Sequence, residues 1–114
     1  MPRLLMYVRN RTCPDQELAR RCLTEFELEP IEINVSRDRD AAQTLMEWIG
    51  SLSVPTLVVV GEDSEPITPP RRIGSEQSAR NIDRGSIISE PDRDGLRAFL
   101  IKHGLISDGQ STRH

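Results

Sequence analysis

The chain has 114 residues, a formal net charge of −3 and 29% charged residues. It is long enough for one domain, and its acidic balance excludes the basic footprint of a nucleic-acid binder. No apolar run nears the roughly 20 residues that cross a membrane, and Met1–Tyr7 lacks the apolar core and cleavage site of a leader.

Leu4-Leu5-Met6-Tyr7-Val8 is a short, unbroken apolar run. Such runs suit a strand covered on both faces in an α/β sheet. Polar residues from Arg9 to Thr12 end it. Pro14 fits the first turn of a helix, where a missing N–H costs nothing. Thr12 or Cys13 is then the cap, and Asp15 and Glu17 lie near the positive helix end. Leu18, Cys22 and Phe26 recur at i+4 beside Ala19 and Leu23, which predicts one buried stripe. Pro30 closes this element. Ile31, Ile33 and Val35 alternate with Glu32 and Asn34, the pattern of a strand with one wet face, nearer a sheet edge. Ser36 or Asp38 caps a second helix over 39–52, with Ala42, Leu45, Met46 and Ile49 inward and Trp48 at the margin. Val54-Pro55 precedes a second inner-type strand, Thr56 to Val60.

Gly61 to Arg84 differs in kind. It carries Pro66, Pro69 and Pro70, many charges and few large apolar side chains. At roughly two dozen residues it exceeds an ordinary connection. It reads as an insertion, chiefly a solvated loop over 62–84 with a helical turn near 75–80; a docking surface is the other reading. Ser86 to Ser89 makes one more short strand. Pro91 and Asp92 open a last helix to His103, with Leu96, Phe99 and Leu100 inward, and Gly104 stops it. The single domain spans 1–104, and 105–114 is expected to be a frayed tail.

Two cysteines make no disulfide framework and point to a reducing, cytoplasmic setting. The two histidines, His103 and His114, give no zinc spacing, so no metal is expected. Cys13 stands where a strand, a polar turn, a proline and a helix meet. Free N–H groups and the macrodipole at a helix start favour a negative charge, and the thiolate is the nucleophilic form of cysteine. Arg9 and Arg11 in the same turn favour it further. Cys22 lies nine residues on, about 13.5 Å along the helix. A disulfide needs Cα atoms within about 7 Å, so the two cannot bridge across an intact helix. Cys22 shares the buried stripe and reads as structural.

The text "MYVRNRTCPDQ" together with Ser53-Val54-Pro55-Thr56 resembles the glutaredoxin-like branch of the thioredoxin superfamily, over Leu4 to Val60 and more loosely over Gly85 to His103. The resemblance implies a thioredoxin-like βαβ-αββα sandwich with a long insertion between the last two strands. It implies a cis Pro55 beside the reactive sulfur of Cys13, with the Val54 backbone pairing to the substrate's cysteinyl group. Arg9 takes the place of the family's basic residue, with Arg11 beside it. Asp92, in "ISEPD", is the nearest counterpart of the family's Gly-Gly-x-Asp segment, which holds the γ-glutamyl end of glutathione.

Three departures narrow the expectation. Gln16 occupies the place of the second active-site cysteine, so exchange through an internal disulfide at that position is excluded. The turn before Cys13 is one residue longer than in the family. Pro14 does not match the Cys-Gly-Phe-Ser of cluster-binding members, so no bound cofactor is expected. The function expected is therefore monothiol thiol–disulfide exchange at Cys13. Its partners would be a disulfide-containing protein or a low-molecular-weight thiol such as glutathione, with neither nucleic acid nor membrane involved. The alternative is a catalytically inactive thioredoxin-fold adaptor that binds a protein through the insertion and the proline loop.

Overall fold

The computed structural model describes residues 2–11, 13–69 and 80–107. The elements run β1 (Arg3–Val8), α1 (Pro14–Glu25), β2 (Ile31–Asn34), α2 (Arg39–Ile49), β3 (Thr56–Val60), β4 (Ile87–Ser89) and α3 (Arg93–Lys102). The strands form one sheet in the order β2-β1-β3-β4. β1 pairs in parallel with β2, while β1–β3 and β3–β4 are antiparallel. This is the thioredoxin-like arrangement, with the insertion between β3 and β4 as expected.

The period of two along each central strand divides the core. Leu4, Met6, Val8, Leu57 and Val59 pack with Ala19, Cys22, Leu23 and Phe26 of the α1 region and with Leu96, Phe99 and Leu100 of α3. Leu5, Tyr7, Val58 and Val60 face the other way, onto Leu45 of α2. Every residue from Leu4 to Val8 and from Thr56 to Val60 is buried, because β1 and β3 are the inner strands and carry helices on both faces. β2 is an edge strand as expected, but Ile31, expected on its dry face with Ile33 and Val35, is exposed at the start of the strand.

Several boundaries differ from expectation. α2 stops at Ile49 rather than near Leu52, because Gly50 takes a left-handed conformation (φ 77°) and its N–H reaches Met46 O at 2.7 Å. Glycine adopts that conformation without the Cβ penalty other residues bear. The buried side of α2 is also rotated from the predicted one. Trp48 packs inward, meeting the Tyr7 ring edge-on at 6.0 Å, and Met46 is exposed. Asp38, not Ser36, caps α2 by accepting from Ala41 N. The chain does not fray directly after α3: Leu105 N donates to Leu100 O at 2.9 Å, and Ile106 is buried in the core. The rest of the expected tail, 108–114, lies outside the described residues.

The insertion departs most from a plain solvated loop. Its first arm returns to the sheet: Pro66 bridges Val60, and Ile67 N donates to Val59 O. Its last arm, 80–84, lies along the outer edge of β4. Arg80 bridges Ser89 and Asp83 bridges Ile88, with Asn81 N donating to Ser89 O and Arg84 N to Ile87 O. A strand edge left open is a template for unwanted pairing, and this arm covers it. Arg84 is buried. Its guanidinium lies 3.4 Å from Ile49 O, at the carboxyl end of α2, where a helix favours a cation. Of the helical turn expected near 75–80, residues 75–79 lie outside the described residues, as does Thr12.

Candidate active site at the amino end of the first helix

The sheet topology brings three connections to one end. β3 runs antiparallel to β1, so its start (Thr56) lies beside the end of β1 (Tyr7). β4 runs antiparallel to β3, so its end (Ser89) lies beside Thr56 as well. The β1–α1 turn with Cys13, the α2–β3 turn with Val54 and Pro55, and the β4–α3 turn with Asp92 therefore share this end of the molecule.

Cys13 is the N-cap residue of α1, with extended backbone (φ −131°, ψ 162°) and Pro14 as the first helical residue. Its C=O accepts from Glu17 N at 3.0 Å. Its side chain makes no capping hydrogen bond. The sulfur is thus not spent as a cap, and the positive end of the helix remains available to a thiolate. Cys13 is partly exposed and unpaired in any disulfide.

Gln16, three residues on, is fully buried. Its Oε1 accepts from Arg9 N at 3.1 Å, which ties the turn carrying Cys13 to the first helical turn. Its Nε2 is buried with no hydrogen-bond partner. A buried amide donor left unpaired costs about 1–3 kcal/mol, so this orphan sits under the turn at a cost in stability. Sequence reasoning took Gln16 only as the absence of a second cysteine and missed its structural part.

Arg9 and Arg11 are both exposed. Arg9 reaches across to the proline turn, where its Nη2 donates to Leu52 O at 3.2 Å. Val54 is buried, and the Val54–Pro55 peptide bond is cis. Pro55 O accepts from Glu90 N at 2.7 Å. Thr56 Oγ1 donates to Ser53 O at 2.6 Å, so its contact with Ser89 Oγ, also 2.6 Å, is one in which Ser89 donates. These bonds fasten the proline turn to the end of β4.

Asp92 caps α3 through one carboxylate oxygen, Oδ1, which accepts from Gly95 N at 2.7 Å. Its other oxygen accepts from Asn81 Nδ2 at 3.0 Å, and Asp92 N donates to Asn81 Oδ1 at 3.0 Å. Beside Asn81, Arg80 forms a forked pair with Asp15, both N–O distances being 2.7 Å, and reaches Glu90 at 3.2 Å. The bonded Arg80 guanidinium holds the Asp15 carboxyl below its ordinary pKa. Arg80 and Asn81 are residues of the site region that sequence reasoning did not find. They are distant in sequence from Asp15 and Asp92, and no local pattern links them.

Cys22 differs from Cys13 in its surroundings. It is buried in the α1–α3 core, and burial pushes its thiol up from the ordinary range. His103 donates from Nε2 to Gly85 O at 2.8 Å and stacks edge-on with Phe99 at 4.7 Å. No cluster of three or more metal-ligating side chains occurs among the described residues. No described helix is long and apolar enough to cross a membrane.

A search of curated proteins returns no match for the chain. Residues 4–63, just over half of it, match the family described as Glutaredoxin. That stretch holds the first three strands, the first two helices, Cys13 and the proline turn, so the chain belongs to the glutaredoxin family of thiol–disulfide oxidoreductase-type proteins with a thioredoxin-like fold.

Proposed function

We propose that the protein exchanges thiols and disulfides through Cys13 alone. The Cys13 thiolate attacks one sulfur of a substrate disulfide, a new S–S bond forms, and the other half departs as a thiolate. A second, external thiolate, from glutathione or another small thiol, then attacks the mixed disulfide and releases Cys13. The external thiol is left bonded to the substrate half that Cys13 held, so each cycle exchanges one partner of a disulfide, returns Cys13 as the thiolate and consumes no net electrons. The observation that carries this reading is the pairing of Cys13, an uncommitted cap at a helix start, with Gln16 where a resolving cysteine would be.

In this reading the α1 amino end stabilises the thiolate before attack and as the leaving group afterwards. Arg9 and Arg11 supply exposed positive charge to the same turn, suited to a substrate carboxylate. Val54 offers its backbone as a pairing strand for the incoming cysteinyl group, and Pro55 leaves no N–H donor beside the sulfur. Asp92 borders the substrate's path at the start of α3. Cys22 takes no part.

Incubation with oxidised glutathione followed by intact-mass and peptide mapping tests the proposal. A single glutathione adduct at Cys13, absent in Cys13→Ser, is expected. Cys13 left unmodified by both oxidised glutathione and bis(2-hydroxyethyl) disulfide, or an adduct at Cys22, overturns it. A second reading, a non-catalytic binding module, draws on the 80–84 arm seated on the β4 edge and tied to α1 and α3. Under it, capture of a protein partner survives Cys13→Ser and is lost when the arm is altered.

A further inference from the structure

Gly95 stands three residues into α3, a position where glycine costs about 1 kcal/mol relative to alanine. A Cβ there would collide with Asn81 Oδ1. The glycine is thus matched to the carboxamide that fills the start of α3. Asn81 itself adopts positive φ (61°), a conformation uncommon outside glycine. The turn is held on both sides, by Arg80 on Asp15 and by Asn81 on Asp92. Its backbone is held as well, Asn81 N donating to Ser89 O at 2.8 Å.

The Asn81 carboxamide engages Asp92 twice, its oxygen accepting from the backbone N–H and its nitrogen donating to the carboxylate. An acceptor and a donor joined in one small group are also what an α-amino acid head presents, as carboxylate and ammonium. The ground at the start of α3 that would suit such a head is therefore occupied by the chain's own side chain. Arg80 meanwhile spans from Glu90, next to the proline turn, to Asp15, two residues beyond Cys13.

We propose that the Arg80–Asn81 turn determines specificity at Cys13, turning away disulfides that need to anchor an α-amino acid head at Asp92, oxidised glutathione among them, and favouring disulfides without that head. This deepens, and rests on, the reading of Cys13 as the exchanging thiol. Arg80 and Asn81 act by occupying substrate ground and take no part in the chemistry at sulfur.

The test compares adduct formation at Cys13 in the full chain and in Arg80→Ala/Asn81→Ala, using oxidised glutathione and bis(2-hydroxyethyl) disulfide, which has no amino acid head. The variant is expected to react roughly tenfold faster with oxidised glutathione, on the scale of one or two hydrogen bonds released to the substrate. Its rate with the hydroxyethyl disulfide should stay within about twofold. Equal changes with both reagents, no change, or slower reaction with glutathione overturn the proposal. The single variant Asn81→Ala, which keeps the Arg80–Asp15 pair, guards against an unfolded double variant and should show the same selectivity in smaller measure. Calorimetric titration of Cys13→Ser with glutathione, with and without the arm substitutions, needs no reactive sulfur. Tighter binding with the substitutions supports the specificity role, and equal binding overturns it, even if an inert Cys13 has removed the exchange reading.

Discussion

Cys13 and Cys22 belong to the same helical segment and the same chemistry, yet their surroundings assign them opposite parts. Cys13 precedes the first turn, partly exposed, with its side chain uncommitted and the helix dipole directed at it. Cys22 sits in the last turn of α1 among Leu23, Phe26 and the side chains of α3, where burial raises its thiol. Burial disfavours the charged form, and a helix start favours it. Nine residues of helix are enough to separate a candidate nucleophile from a packing residue.

The largest expected effect comes from removing the exposed sulfur. Cys13→Ser should abolish disulfide exchange, while the thermal midpoint changes little because no capping bond or core contact is lost; a retained exchange rate would break the comparison. Next is Gln16→Cys, which restores a second thiol three residues from the first. Helical geometry places the two Cα atoms about 5 Å apart, within reach of a disulfide. Oxidation should remove two hydrogens by intact mass. A preformed glutathione adduct should be released on the order of a hundredfold faster, since the attacking thiol is now intramolecular. Retention of the adduct would place position 16 out of reach of the Cys13 sulfur.

Cys22→Ser carries a smaller effect in a different readout. Burying a hydroxyl in that apolar cluster should cost about 1–3 kcal/mol, seen as a lower melting temperature, with the Cys13 adduct rate unchanged. The smallest effect is in alkaline pH. Burial also pushes Tyr7 up from its ordinary range. The folded state thus resists ionising both groups, whereas the unfolded chain ionises its cysteine near pH 8.5 and its tyrosine near pH 10. Above those values the unfolded state holds fewer protons than the folded one, so stability falls as pH rises. Melting temperatures in Cys22→Ala should decline less between about pH 8.5 and 10 than in the parent. An identical decline would place the cause elsewhere.

Most of the framework was legible locally. The unbroken runs Leu4–Val8 and Thr56–Val60 predicted inner strands, and the alternation at Ile31 to Val35 predicted an edge, because strand burial leaves a period of two or none. Pro14 and the i+4 stripe placed α1 and its inward face. The rotation of α2 was not legible: Met46 and Trp48 both border the apolar side, and the position of Tyr7 on the neighbouring strand decides which turns inward. Ile106 beyond α3 was likewise unreadable as core, since its partners lie on other elements.

By itself the sequence determined the order of elements, the location of Cys13 at a helix start and the loss of the second thiol to Gln16, all consequences of short-range periodicity and spacing. Only the tertiary structure decided that the last arm of the insertion lies against the starts of α1 and α3. Arg80 lies 65 residues from Asp15 in the chain, and Asn81 is separated from Asp92 by a full strand. Charges are plentiful along 61–84, and nothing local tells a solvated one from one that docks. Pairing of the arm with the β4 edge selects Arg80 and Asn81 and sets them at the starts of two helices.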